Sequence, residues 1–140
     1  IVDVCNLSAL IVVNVVEVGG LFTQTVTCVE TPSSNKSNDG SQQATLELTE
    51  GNTYRFDQSD SRNYGHPLRF SETSDGTHGG GSQYTTGVTT NVSPGSSGAY
   101  TQIAVDSETP NILYYQGSSH GYMGNHITTI GNKLNSNLST

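Results

Sequence analysis

A chain of 140 residues with 31% apolar side chains encloses one thin core, and its 12% of charged residues lacks the high-charge signature of disorder. Five Lys plus Arg stand against twelve Asp plus Glu, a formal net charge of −7 with no basic run. Phosphate backbones and anionic bilayers both need a positive footprint, so nucleic-acid and membrane partners are set aside.

The sequence starts at Ile1, which reads as a processed product or a fragment, and carries no recognisable signal peptide. Leu7 to Val18 is dense in β-branched residues and reads as a long strand. The apolar run from Ala9 to Val18 is too short to span a bilayer as a helix, and Asn14 and Glu17 interrupt it. Leu10, Ile11, Val12, Val13, Val15, Val16 and Val18 do not alternate with polar residues, so both faces of this strand need cover. Two readings follow. Residues 1–30 form an assembly arm that adds to a copy of the chain or to another protein, or the strand is central in an enlarged sandwich.

Gly19-Gly20 is a turn signal. Phe22 to Val29 reads as the second strand, with Phe22, Gln24, Val26 and Cys28 on one face. Cys5 and Cys28 are either a disulfide made in an oxidising compartment or two small buried thiols. A simple hairpin does not bring them opposite each other, so a bridge requires a bend, a bulge or a change of sheet. The polar stretch from Thr31 to Gln43 reads as a linker. It divides an N-terminal arm, residues 1–44, from the main domain, residues 45–140.

In the main domain short alternating segments recur. Leu46 and Leu48 share one face, Tyr54 and Phe56 another, then Leu68 and Phe70, and Ile103 and Val105. Thr85 to Thr90 reads as a weak edge strand, Ile112 to Gln116 as a strand and Ile127 to Ile130 as the last. This spacing predicts an all-β sandwich or Greek-key barrel. No segment carries a sustained helical period, and no tandem repeat is present.

Few residues suggest catalysis, and none is assigned a catalytic role. No GxSxG elbow, phosphate-binding loop or EF-hand loop occurs. Asp57, Asp60 and Asp75 read as solvated turn residues. His78, in the Gly-rich loop Ser74 to Ser82, reads as solvent-exposed and without a role. Asn6, Asn35, Asn91 and Asn137 each open an N-x-[ST] triplet, a frequency that an Asn- and Ser-rich chain reaches by chance.

Two segments are more informative: YGHPLRF from Tyr64 and LYYQGSSHGYMG from Leu113. A His leading into a strand, then a later strand, a loop His and a nearby Met, is a copper-site layout. Over Thr45 to Ile130 the sequence resembles the cupredoxins. The resemblance implies a cupredoxin-like Greek-key β-sandwich preceded by the N-terminal β-strand arm. It places the metal ligands at His66, His120 and Met123. The family's Cys falls on Gly117, or on Gln116 with a longer loop, and neither supplies the thiolate that a blue-copper centre needs. The expectation is therefore a vestigial site without a resident cofactor. Weak copper binding through those three residues, with Gln116 or His126 nearby, is the residual alternative.

The stretch Tyr54 to Gly124 is also similar to cupredoxin-like modules in the virion structural proteins of marine tailed phages. That similarity implies a non-enzymatic structural subunit, a capsid decoration, tail or fibre protein, on a virion. The alternatives are a subunit of an extracellular filament, or a surface module that binds metal or a host glycan. Glycan binding calls for aromatic side chains gathered on one face, and sequence does not place Tyr64, Tyr84, Tyr100 and Tyr122 together.

Overall fold

The computed structural model describes residues 9–29, 40–119, 121 and 123–131. The protein is all-β. Among the described residues eleven strands form two mixed sheets: β1 Ala9–Val18, β2 Leu21–Val29, β3 Gly40–Gln42, β4 Leu46–Thr49, β5 Thr53–Asp57, β6 Leu68–Ser71, β7 Gln83–Tyr84, β8 Val88–Asn91, β9 Tyr100–Ala104, β10 Ile112–Gly117 and β11 His126–Ile130. One sheet has six strands in the order β3-β1-β2-β5-β9-β8, and the other has five in the order β4-β11-β10-β6-β7. The β2–β5 and β4–β11 pairs are parallel, and the rest are antiparallel.

The first hairpin follows from its turn. Gly19 and Gly20 have φ of 57° and 84°, and they connect Val18 directly to its partner Leu21. Left-handed backbone at both positions of a two-residue turn matches the twist of the flanking strands, and glycine reaches it without steric cost. The register shifts between Val13 and Val15, so Asn14 sits at a bulge.

Alternation then builds the core. Tyr54 and Phe56 point inward from β5, Ile103 from β9, Leu68 and Phe70 from β6, and Leu113 and Tyr115 from β10. All join one buried cluster with Val26, Cys28, Leu48, Val105, Met123 and Ile127. The two sheets meet through Phe56 and Phe70, whose rings pack edge to face at 5.7 Å. Within the six-stranded sheet the register partners Phe22 and Tyr54 stack at 5.2 Å. Polar ties close the gap between sheets. The Tyr54 hydroxyl accepts from the Thr49 amide at 2.9 Å, and the Thr101 hydroxyl donates to the Leu68 carbonyl at 3.0 Å.

Three features depart from the sequence expectation. The end of the polar stretch read as a linker forms β3, whose Gly40 to Gln42 pair with Ile11 to Val13. The weak edge strand lies later than expected, at Val88–Asn91, and the short β7 precedes it. The boundary drawn at residue 44 is crossed by hydrogen bonds, because β2 pairs with β5 from Leu21–Thr53 to Thr25–Asp57. Val26 and Cys28 are fully buried in the shared core. Cys28 is disulfide-bonded, and its expected partner Cys5 lies outside the described residues.

Candidate functional site

The two segments singled out by sequence meet at one end of the five-stranded sheet. β6 and β10 are antiparallel neighbours, with Leu68 opposite Gly117 and Arg69 opposite Gln116. Beyond the last pair the Ser118 amide donates to the Pro67 carbonyl at 2.9 Å. The segment carrying His66 therefore lies alongside the start of the loop that follows β10.

His66 is held by its surroundings on both sides. Its side chain is fully buried, and its amide donates to the Asn63 carbonyl at 2.9 Å. The buried amide of Gln58 brackets the segment: Nε2 donates to the His66 carbonyl at 2.8 Å, and Oε1 accepts from the Leu68 amide at 2.9 Å. A strand made irregular by Pro67 lacks its own partners for these groups, and one Gln supplies both. Asn63, also buried, donates from Nδ2 to the Val26 carbonyl at 2.7 Å, and its Oδ1 lies 3.6 Å from Cys28 Sγ. The loop that ends at His66 is thus anchored to β2. Asp60 opens that loop by accepting from the Arg62 amide and guanidinium, and these bonds hold its carboxyl below the usual range.

The other half of the site centres on Gly117. Its amide donates to the Met123 carbonyl at 2.9 Å, closing the loop between them. Met123 is fully buried, and a Cβ built on Gly117 lies 3.1 Å from its sulfur. A larger residue at 117 forces the Met123 side chain to give way. The Gly117 carbonyl lies 3.1 Å from His78 Nε2. Next to it, buried Gln116 accepts from the Thr77 amide at 3.0 Å through Oε1, while its Nε2 has no hydrogen-bond partner among the described residues. Gly76 lies flat against this amide, where any Cβ would overlap it.

His78 therefore has a part that its sequence context concealed. It is exposed, yet it ties the Gly-rich segment to the backbone of the last residue of β10. The glycines there permit close approach to Gln116, a long-range contact with no local signature. Gln58 and Asn63 were also missed, for the same reason.

Of the expected metal ligands, His66 and Met123 are buried at this end, and His120 lies outside the described residues. Neither Gly117 nor Gln116 offers a thiolate, and no group of three or more His, Cys, Asp and Glu side chains among the described residues is placed to hold a metal ion. His126 begins β11, paired with Tyr114. No family model matches the chain, nor does any curated protein or solved structure.

Among the described residues, the tyrosines that a glycan face would draw on lie in different parts of the fold. Tyr64 projects from the loop before His66, Tyr84 packs against the core from β7, Tyr100 lies in the six-stranded sheet, and Tyr122 is outside the described residues. Asp57 and Asp60 serve as turn residues: Asp57 accepts from the Ser59 amide at 2.8 Å, and Asp60 caps the short 3-10 turn Ser61–Asn63.

Proposed function

We propose that this protein is a non-enzymatic structural subunit of a virion, a capsid decoration, tail or fibre protein, built on a degenerate cupredoxin-like Greek-key sandwich. One observation carries the reading. In the resemblance to cupredoxins the thiolate position falls on Gly117, or on Gln116 with a longer loop, and a Cβ built on Gly117 would stand 3.1 Å from the Met123 sulfur. His66 and Met123 are both buried, but neither Gly117 nor Gln116 supplies the thiolate that electron transfer at such a centre requires. A fold retained without its redox ligand serves by its shape and its surface.

The surface suits that role. A net charge of −7 and short strands favour a soluble module whose edges do not aggregate. Attachment through residues 1–30 remains the proposed mode, with copies of the chain or other virion proteins as partners. An extracellular filament is the alternative assembly. Weak copper binding is a second reading, favoured by the burial of His66 and Met123 at one end.

Immunogold labelling of particles from cultures that express the chain tests the main reading. Antibody against the whole protein should decorate intact particles. Label confined to the soluble fraction, with bare particles, would reject a virion role.

A further inference from the structure

We propose that the outer face of the six-stranded sheet binds a neutral oligosaccharide through Arg55, Asp57, Asn91 and Tyr100. Register dictates the grouping. Because Tyr54, Phe56, Thr101 and Ile103 face the core, Arg55, Asp57, Tyr100 and Gln102 face outward. Tyr100 is paired with Asp57 on one side and Asn91 on the other, so the three form a row across β5, β9 and β8. Arg55 and Gln102 are paired in the next row. These residues, with Ser59, Gly98 and Ala99, surround a cleft of about 300 Å³, the lower end of the range for small-molecule sites.

The polar groups are held in place with hydrogen-bonding capacity to spare. The Arg55 guanidinium carbon stands 3.8 Å from the Tyr100 ring centroid, and Nε donates to Gln102 Oε1 at 2.9 Å. Stacking and this bond fix the plane of the guanidinium. Its terminal nitrogens have no acceptor among the described residues, where the one ion pair joins Arg62 to Asp60. Asp57 uses Oδ1 for the Ser59 amide, and Asn91 uses Nδ2 for the Gly98 carbonyl at 3.0 Å. Asp57 Oδ2 and Asn91 Oδ1 stay available as acceptors in the cleft that Arg55 also lines.

A ligand must answer donors and acceptors at once. Hydroxyl groups do both, and neighbouring hydroxyls on a sugar ring match planar carboxylate, amide and guanidinium groups two at a time. A phosphate or carboxylate offers acceptors alone and meets Asp57, on a chain whose net charge is −7. A wholly apolar ligand leaves all three polar groups unanswered. The site stands on its own geometry and is independent of the virion reading.

Amide-resolved NMR of the full chain tests the proposal. Three neutral probes, maltotetraose, cellotetraose and mannotetraose, and one acidic probe, tetragalacturonate, are titrated in turn. At least one neutral probe should shift the signals of Arg55, Asp57, Asn91 and Tyr100 saturably. Asp57→Ala and Asn91→Ala, each with the remaining spectrum intact, should weaken binding about tenfold, as expected for loss of one hydrogen bond to the ligand. Using both variants guards against a folding defect from loss of the Asp57 turn contact. Absence of saturable shifts with every neutral probe, unchanged affinity in both variants, or tighter binding of the acidic probe would each overturn it.

Discussion

Gly117 and Met123 face each other across the loop that closes the candidate site. The Gly117 amide donates to the Met123 carbonyl at 2.9 Å, and a Cβ on Gly117 would lie 3.1 Å from the Met123 sulfur. Neither residue carries a thiol, so on the cupredoxin-like reading proposed above no copper–thiolate charge transfer arises here. Wild-type protein titrated with Cu(II) should therefore show no intense visible band. Gly117→Cys should gain one, at the expense of a shifted Met123 side chain. Absorption spectroscopy decides the matter. An intense band in the wild type, lost on replacing Cys28, would refute the argument, and a colourless Gly117→Cys would count against the cupredoxin-like reading.

Gln58 supports the backbone at His66. Gln58→Leu removes the donor to the His66 carbonyl and the acceptor of the Leu68 amide, leaving both buried groups unanswered. At roughly 1–3 kcal/mol for each orphaned group, the variant should lose about 2–6 kcal/mol in stability. Urea unfolding followed by circular dichroism measures this, and a loss well under 1 kcal/mol would mean that water replaces the bracket.

Tyr115 gives the fold an alkaline limit. Burial pushes its phenol above the ordinary value of 10.0, and its hydroxyl donates to the Ala44 carbonyl at 2.7 Å. Folded Tyr115 stays protonated while the unfolded chain ionises. Its contribution is thus fully present below the unfolded pKa and declines as pH rises above it, by about 1.4 kcal/mol per pH unit. Tyr115→Phe should be about 1 kcal/mol less stable at neutral pH but should lose less stability between neutral and alkaline pH than the wild type. Parallel pH-dependent unfolding curves for the two proteins would show this account wrong.

Residues 1–30 contribute more than an appendage does. β2 lies between β1 and β5, and its Val26 and Cys28 are buried in the common core. Removing residues 1–30 uncovers the β5 edge and the Phe22 contact with Tyr54. The truncated chain should lose cooperative unfolding and the dispersion of its amide NMR signals. A truncated chain that stays folded would refute this account, and its joining particles all the same would also end the proposal of attachment through residues 1–30.

Sequence by itself determined the local pattern of this protein. Tyr54 and Phe56, Leu68 and Phe70, and the Gly19-Gly20 turn were legible because strand alternation and positive φ leave their marks within a few residues. The segments around His66 and Met123 stood out in the sequence, and their meeting at one end of the five-stranded sheet comes from the β6–β10 pairing. Tertiary structure alone decided which strands meet. Nothing near Leu21 announces a parallel partner at Thr53, and nothing in the polar stretch before Gln43 announces pairing with β1. The bonds from Gln58 to His66, Asn63 to Val26 and His78 to Gly117 likewise join residues whose own surroundings look like ordinary loops. Such contacts arise when chain closure brings distant backbone groups out of water, and each buried group then takes whatever partner the packing provides.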